Sequence, residues 1–279
     1  MLFRSAMDAA AAGEIEPAFA RAGRYLFSNA KNFRMDADVP LVIPEVNADH
    51  LAILDRQRAV RGWSGAIITN ANCAATTATV ALAPLHAAFG LRTLFLTTMQ
   101  AISGAGYPGV PSLDILGNVI PYIGDEEPKL EREMQKMLGT LGVDGVELAP
   151  FVVSAQANRV AVENGHTVCI AAEFERRPTV AEAYEALEAW RGAPEARGLP
   201  SSPLLPILLR DEVDRPQPRR DVLEGKGMTT VVGRLRADPI LHLKFVAMSH
   251  NTIRGAAGGS ILNAEVMKAR LGSFPEVTA

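Results

Sequence analysis

The stretch from residue 65 to residue 84 constrains the fold more than any other part of the sequence. A short apolar, β-branched run over residues 66–69 follows a glycine and predicts a buried strand. From Ala74 onward Ala, Val and Leu dominate, which predicts a helix. Cys73 therefore lies where a strand turns into a helix, and we expect the helix dipole to lower the pKa of its thiol. This predicts either a nucleophile or a small buried side chain.

The residues before this turn alternate between strand and helix patterns. Strands are predicted over 25–28, 39–43 and 65–70, and helices over 7–21 and 50–60. Such alternation indicates a parallel α/β sheet. No strand is predicted before residue 7, so the chain is expected to enter that sheet part-way, without the strand and Gly-rich turn that open a nucleotide-binding half-sheet.

The residues after the turn predict a mixture of strands and helices. A helix is expected over 74–89, followed by strands over 91–102, 148–162, 167–174, 229–235 and 243–249. The Asn164-Gly165 pair predicts a hairpin between 148–162 and 167–174. Further helices are expected near 113–118, 129–138, 180–190 and 258–270, and the Pro-rich residues 192–220 predict a surface excursion.

Composition excludes several classes of protein. Hydrophobic residues make up 48% and charged residues 21%, which is typical of a globular domain. A net charge of -3 favours neither a nucleic-acid nor a membrane partner, and no window is apolar enough to span a bilayer. Only Cys73 and Cys169 are cysteines, so neither a disulfide framework nor a CxxC metal site is expected. A reducing, cytoplasmic compartment follows.

Residues 104–109 match the dinucleotide pattern G-x-G-x-x-G and follow a predicted strand, with Asp125 at a suitable distance for a ribose contact. We reject a pyrophosphate site here, because Pro108 and Pro111 prevent the turn from running straight into a helix with free N–H groups. The pattern instead predicts a tight loop that approaches a ligand or other backbone closely.

A histidine and an arginine near the Asn-Gly pair are candidate site residues. His166 can serve as general base toward Cys73, because the pKa of histidine lies near neutral, although a structural histidine is the alternative. Arg159 can bind a carboxylate bidentately. Glu133 and Lys136 lie one helical turn apart, a spacing that is consistent with a solvated salt bridge as well as with a role in a site. No metal site is predicted, because none of the other histidines has a patterned ligand beside it; these are His50, His86, His242 and His250.

Four strings together resemble one enzyme family. They are residues 70–73 (Asn-Ala-Asn-Cys), 97–114, 158–166 and 249–258. In this order they are similar to the aspartate-semialdehyde dehydrogenases of archaea and fungi, and the resemblance runs from about residue 7 to residue 271. Family members begin with a further segment that carries a Gly-rich turn of G-x-T-G-x-V-G type, which this sequence does not show. Asn158 stands where this branch usually has histidine.

The resemblance assigns roles to individual residues. It implies that Cys73 is the nucleophile, that His166 is the acid/base and that Gln100 lies beside the reacting centre. The substrate residues that it implies are Arg159 for the α-carboxylate, Glu133 for the amino group, and Lys136, Asn72 and Arg34 for phosphate. The residues implied at the cofactor are Ser103, Gly104, Ala105, Gly106 and Asn251. We expect the Cys73 N–H and the Asn72 side chain to stabilise the oxyanion.

The resemblance also implies an architecture. We expect an α/β fold in which residues 1–73 form the remnant of a Rossmann-type, NADP-binding sheet. Residues 74–249 would form an α+β catalytic and dimerisation domain, and a helix within 250–279 would return to the first domain. A homodimer or homotetramer is implied.

The activity that the resemblance implies belongs to aspartate-family amino-acid biosynthesis. It is the NADP-dependent reductive dephosphorylation of L-aspartyl-4-phosphate to L-aspartate 4-semialdehyde, through a cysteine thioester. Two alternatives stay open: an acyl-CoA reductase of malonyl-CoA type on the same scaffold, and a truncated product that cannot bind NADP.

Overall fold

The computed structural model describes residues 2–272. Within this range the strands are β1 (Leu2–Ser5), β2 (Tyr25–Ser28), β3 (Ala66–Thr69), β4 (Leu91–Gln100), β5 (Thr140–Leu141), β6 (Val146–Glu147), β7 (Val152–Arg159), β8 (His166–Phe174), β9 (Ile207–Arg210), β10 (Thr230–Ala237) and β11 (Leu243–Ser249). The α-helices are α1 (Ala9–Arg21), α2 (Pro44–Asn47), α3 (Ile53–Arg61), α4 (Cys73–Phe89), α5 (Ser112–Ile115), α6 (Glu126–Met137), α7 (Val180–Ala189), α8 (Pro218–Asp221) and α9 (Gly258–Leu271). No helix in this range is long and apolar enough to cross a bilayer.

The first sheet is parallel, in the order β1-β2-β3, as the alternating pattern predicts. The expectation that no strand precedes residue 7 is wrong, because β1 pairs with β2 along its whole length. Its apolar run is too short to predict a strand alone. The strand predicted over 39–43 does not form, and only Leu41 makes an isolated bridge to Thr69. Pro40 and Pro44 lack the N–H groups that a ladder requires.

The second sheet has six strands in the order β7-β4-β8-β11-β10-β9. The predicted hairpin is wrong, because β4 lies between β7 and β8, parallel to the first and antiparallel to the second. The Asn164-Gly165 turn therefore belongs to a connection that crosses over β4. The segment 192–220 is more than a surface excursion, because β9 lies within it and pairs in parallel with β10.

Helix α4 is the centre of the larger core. Every residue from Ala74 to Leu85 is buried, as expected for a helix that is apolar on all sides. It packs against the second sheet and against α6, with Leu94, Ile170 and Met134 in one shared cluster. The N-terminus of α4, where Cys73 lies, is thereby held between the two sheets.

The C-terminal helix α9 returns to the first sheet, which confirms that part of the predicted fold. Ser260 Oγ donates a hydrogen bond to the carbonyl of Phe27 over 3.2 Å. Asn263 Nδ2 donates to the carbonyl of Val42 over 3.1 Å, and Met267 joins the apolar cluster on this face. The chain that leaves the second sheet thus crosses the end of α4 before it reaches the first.

Candidate active site

Cys73 is the first residue of α4, four residues after β3 ends. Asn72 caps the helix: its Oδ1 accepts hydrogen bonds from the N–H groups of Ala74 and Ala75, over 2.9 and 3.0 Å. An amide oxygen in this position satisfies N–H groups that the first helical turn leaves without partners. The cap fixes the direction in which the Cys73 side chain leaves the helix.

A π-helical turn over Ile253–Ala257 lies directly against Cys73. A Cβ on Gly255 would lie 2.5 Å from Cys73 Cβ, so only glycine fits there. The turn is anchored by a bidentate pair in which Arg254 donates to both carboxylate oxygens of Glu45 over 2.9 Å, with both side chains 1% exposed. Its backbone therefore forms one fixed wall beside the sulfur.

The environment of Cys73 keeps its thiol protonated. Burial and the negative charge of Glu126 raise the pKa of Cys73 to about 12, although Arg34 and the N–H groups of the helix start act in the opposite direction. The expectation that the helix dipole makes this thiol acidic is wrong, because the effect of burial is larger. Reaction of this sulfur consequently requires a group that accepts its proton.

His166 is the first residue of β8 and presents an unused donor. Its Nδ1 accepts a hydrogen bond from the N–H of Ala101 over 3.1 Å, so the neutral ring carries its proton on Nε2. Nε2 is buried and has no hydrogen-bond partner among residues 2–272. Burial, Arg159 and His250 lower the pKa of His166 to about 3. If the ring were protonated, Nδ1–H would face the N–H of Ala101 and the hydrogen bond between them would be lost. This bond therefore also favours the neutral ring, with its proton on Nε2.

Arg159 and Gly104 complete this side of the site. Arg159 ends β7 opposite Gln100 of β4, and its Nη1 donates to the carbonyl of Ala101 over 2.7 Å. A Cβ on Gly104 would lie 2.9 Å from both Arg159 Nη1 and His166 Cε1. Burial lowers the pKa of Arg159, while the charge of Glu126 and that of Cys73 in its thiolate form act against this shift. The structure thus brings together Arg159, His166 and the glycine loop near Cys73.

The loop that contains Ser103, Gly104, Ala105 and Gly106 is held by Asn251. Asn251 Nδ2 donates to Ser103 Oγ over 2.8 Å, and its Oδ1 accepts from the N–H of Gly165 over 2.9 Å. The last three loop residues are exposed. The loop therefore offers a fixed surface without bulky side chains beside His166.

Glu133 of α6 lies on the opposite side of Cys73. Its Oε1 accepts from Arg34 Nη1 over 2.8 Å and its Oε2 from the backbone N–H of Asn72 over 2.6 Å. Arg34 also donates Nη2 to the carbonyl of Asn29, while its buried Nε has no partner within residues 2–272. This ion pair ties the start of α4 to the turn that follows β2.

Among residues 2–272, the hydrogen-bond partners of Lys136 Nζ are backbone carbonyls. Its Nζ donates to the carbonyls of Arg34, Asp36 and Val39, over 2.7, 2.7 and 2.8 Å. Burial lowers the pKa of Lys136 to about 8, although three nearby carboxylates act against this shift. The ammonium group is thus committed to the turn that carries Arg34, rather than left free for an anion.

The sequence did not identify Glu126, which begins α6. Its Oε1 accepts hydrogen bonds from Asn72 Nδ2 over 2.7 Å and from Gln100 Nε2 over 2.9 Å. Its spacing of seven residues from Glu133 could have revealed it, because residues two turns apart share a helix face. Since Asn72 gives its amide group to Glu126 and its oxygen to the helix cap, both ends of this side chain are occupied. Residues 2–272 contain no group of three or more His, Cys, Asp or Glu able to hold a metal ion.

Comparison with known proteins defines the class to which this fold and site belong. Residues 82–254 match the family model "Semialdehyde dehydrogenase, dimerisation domain", and residues 2–54 match "Semialdehyde dehydrogenase, NAD binding domain". Aspartate-semialdehyde dehydrogenase from Archaeoglobus fulgidus is 49% identical over 94% of this chain and 75% of its own length. The Schizosaccharomyces pombe protein of the same name is 47% identical, with the same coverage of each chain. The chain belongs to the aspartate-semialdehyde dehydrogenase family, which confirms the resemblance.

Solved structures agree with this assignment. The crystal structure of aspartate semialdehyde dehydrogenase with NADP from Candida albicans matches with a TM-score of 0.88 and 42% identity, over 97% of this chain and 78% of that chain. Aspartate semialdehyde dehydrogenase II complexed with ASA from Vibrio cholerae matches with a TM-score of 0.79 and 26% identity, over 96% and 79% of the two chains.

Proposed function

We propose that this chain catalyses the NADP-dependent reductive dephosphorylation of L-aspartyl-4-phosphate to L-aspartate 4-semialdehyde, a step of aspartate-family amino-acid biosynthesis. The observation that carries the proposal is the arrangement around Cys73. A sulfur at the start of α4 lies near Arg159, and Arg159 shares the Gly104 loop with a histidine whose buried Nε2–H has no partner. A nucleophile with an unused donor and a cation beside it suits acyl transfer.

In the first step Cys73 Sγ attacks the acyl carbon of the substrate. A C–S bond forms, the bond between the acyl carbon and the phosphate oxygen breaks, and inorganic phosphate leaves. Because the thiol is protonated, and because protonation of His166 would oppose its bond with Ala101, we assign the thiol proton to the departing phosphate. A thioester on Cys73 remains.

The resemblance implies that His166 is the acid/base, but its Nδ1 accepts from Ala101 and its buried Nε2–H has no partner within residues 2–272. We therefore assign it instead the role of hydrogen-bond donor to the oxyanion that develops on the acyl carbon, together with the N–H of Cys73 at the helix start. Donors that are fixed before the reaction stabilise such charge effectively in a buried site. Hydride addition gives a tetrahedral thiohemiacetal anion, whose collapse breaks the C–S bond and releases the aldehyde. The sulfur then takes a proton from solvent and becomes a thiol again.

Each charged group around Cys73 suits a different part of the substrate. Arg159 suits the α-carboxylate and Glu133 the amino group. The unpartnered Nε of Arg34 suits phosphate. We assign Lys136 an indirect part in the phosphate site, because it holds the turn that carries Arg34. Asn72 acts there as the cap that orients α4.

The residues present fit the nicotinamide end of the cofactor. The exposed loop formed by Ser103, Gly104, Ala105 and Gly106 leaves room beside His166, and Asn251 holds Ser103 in place. Ser5 Oγ, buried without a partner within residues 2–272, lies at the carboxyl end of β1, the edge of a parallel sheet at which dinucleotides bind. NADPH, when bound, supplies the hydride that reduces the thioester carbonyl.

We infer that the chain assembles with copies of itself as a homodimer or homotetramer. Support comes from the match to a dimerisation-domain model and from Phe95 and Val152, which lie 52% and 66% exposed on the second sheet. Light scattering coupled to gel filtration distinguishes the two states, and a monomer at micromolar concentration contradicts both. The two free cysteines support a cytoplasmic location.

The function is tested in the reverse direction with the 279-residue chain. We expect NADPH to form from aspartate semialdehyde and NADP⁺ only when phosphate is present. Cys73→Ser should abolish this activity, while Cys169→Ser should retain it. Turnover with a CoA thioester but not with phosphate would instead establish the acyl-CoA reductase, and no binding of NADPH in a calorimetric titration would contradict the proposal.

A further inference from the structure

Glu126 joins two parts of the site through one carboxylate oxygen. Its side chain is buried, with the residue 6% exposed, and its Oε1 accepts from the amides of both Asn72 and Gln100. Asn72 caps α4 directly before Cys73, and Gln100 ends β4. A single acceptor therefore links the helix that carries the nucleophile to the strand beside it.

These bonds determine which way both amides face. An ionised carboxylate only accepts hydrogen bonds, so each amide must present its NH₂ group to Glu126. For Asn72 this leaves Oδ1 to cap the helix, as observed. For Gln100 the second N–H faces Thr98 Oγ1 at 3.3 Å, so Oε1 is the end of the amide that remains for a donor group of the substrate.

The charge of Glu126 works against the nucleophile. It contributes to the raised pKa of Cys73, second only to burial. Burying a carboxylate is also costly unless hydrogen bonds compensate for it. Its nearest cation, Lys129 Nζ, lies 3.8 Å from Oε2. Because Glu126 makes the thiol less acidic, we infer that its function is to orient the neighbouring amides of Asn72 and Gln100.

We propose that Glu126 is a positioning residue, whose carboxylate holds Asn72 as the helix cap and Gln100 with its amide oxygen toward the substrate. The kinetic consequence rests on the proposed function. Because Glu126 contacts the nucleophile only through its neighbours, its removal should lower turnover through misalignment, for which about 10- to 100-fold is expected.

Glu126→Met tests this proposal, because methionine has a similar length but no oxygen that could accept from the two amides. Glu127→Gln is the control for the loss of one negative charge on α6. Glu127 is the next residue on α6, and its Oε1 accepts from the N–H of Ala157, away from Cys73. For Glu126→Met we expect kcat to fall about 10- to 100-fold, while alkylation of Cys73 by iodoacetamide becomes faster at neutral pH because a negative charge is lost. Glu127→Gln should change neither rate. A general loss of structure would also expose the thiol and speed its alkylation, because burial is the larger cause of its raised pKa. The two opposite changes therefore identify positioning only where the thermal unfolding temperature of the variant equals that of the wild type.

Unchanged or faster turnover in Glu126→Met would overturn the proposal, as would an unchanged pH profile of alkylation. Alkylation needs no substrate, and a crystal structure of the variant adds a second readout that is independent of activity. We expect the Gln100 amide to rotate, or Asn72 to lose its cap, and two unmoved amides would contradict the proposal. If the wild-type chain showed no phosphate-dependent turnover, the proposed function would be refuted. The alkylation rate and the crystal structure of the variant would still test the positioning role of Glu126.

Discussion

The two sides of Cys73 use their polar groups differently. On one side, the α6 wall (Glu126, Glu133 and Lys136) is occupied by bonds to the protein itself: the two carboxylates accept from Asn72, Gln100 and Arg34, and the ammonium donates to three carbonyls. On the other side, the β8 wall (His166 of β8, together with Arg159 at the end of β7) keeps a buried donor, His166 Nε2, without a partner within residues 2–272.

This difference indicates that the α6 wall orients neighbouring residues, whereas the β8 wall takes part in the reaction. Buried polar groups normally find partners, so one that lacks a partner is a candidate to act on a ligand. We therefore assign donation to the developing oxyanion to the β8 wall. The α6 wall fixes the start of α4, the turn that carries Arg34 and the end of β4. Apart from Glu133, which we also assign to the substrate amino group, its substitution should act through those neighbours.

The largest effect is expected on the β8 wall. His166→Asn keeps an acceptor for the Ala101 N–H but removes the Nε2–H, and should lower kcat about 10²- to 10³-fold with little change in thermal unfolding. His166→Gln, whose amide can place an N–H near the former Nε2, should retain more activity. Steady-state kinetics of both variants measures this, and equal loss in the two would contradict the donor role.

The next effect is on stability and arises on the α6 wall. Lys136→Met leaves three carbonyls without their donor, and should lower the free energy of unfolding by about 2–4 kcal/mol. Lys268→Met, on the exposed side of α9, should change it by less than about 0.5 kcal/mol. Denaturant titration measures both. A stable Lys136→Met protein with a greatly raised KM for phosphate would instead show direct binding of phosphate by Lys136.

A smaller effect is expected in the loop over the β8 wall. Gly104→Ala places a methyl group 2.9 Å from Arg159 Nη1 and His166 Cε1. The loop must shift, and we expect kcat/KM to fall about tenfold. Ala105→Gly in the same exposed loop serves as the control. Wild-type kinetics in Gly104→Ala would contradict the close approach.

The last effect is a pH dependence of stability. The pKa of His166 falls from its ordinary 6.5 to about 3 in the folded chain, so the unfolded chain binds a proton there that the folded chain does not. Its contribution to stability is present above pH 6.5 and is lost as the pH falls toward 3. The free energy of unfolding should fall less steeply over this range in His166→Asn. Identical slopes would show that His166 is not held neutral.

The sequence predicted what depends on local pattern. The strand-to-helix turn at Cys73 and the helix α4 follow from apolar runs and caps, whereas the return of α9 was implied by the family resemblance. What it missed depends on pairing between distant residues. Strands β1 and β9 are recognisable only beside the strands that they pair with. The Asn164-Gly165 pair predicted a hairpin, but β4 lies between the two strands that the pair connects.

The site shows the same division. Cys73, His166 and Arg159 were identified as candidates from residue type and position. Glu126 was missed, and Lys136 was expected to bind phosphate, because the partners of both are distant in sequence: Glu126 meets Asn72 across 54 positions, and Lys136 meets Arg34 across 102. The acidity of the Cys73 thiol was also misjudged, because burial cannot be derived from a single helix terminus.

The most direct test of the account asks which sulfur reacts. The chain is mixed with L-aspartyl-4-phosphate in the absence of NADPH, and the protein mass and the released phosphate are measured together. We predict one acyl adduct per chain, located on Cys73 by peptide mapping, with one phosphate released for each adduct. An adduct on Cys169, or release of phosphate without any adduct, would contradict the account.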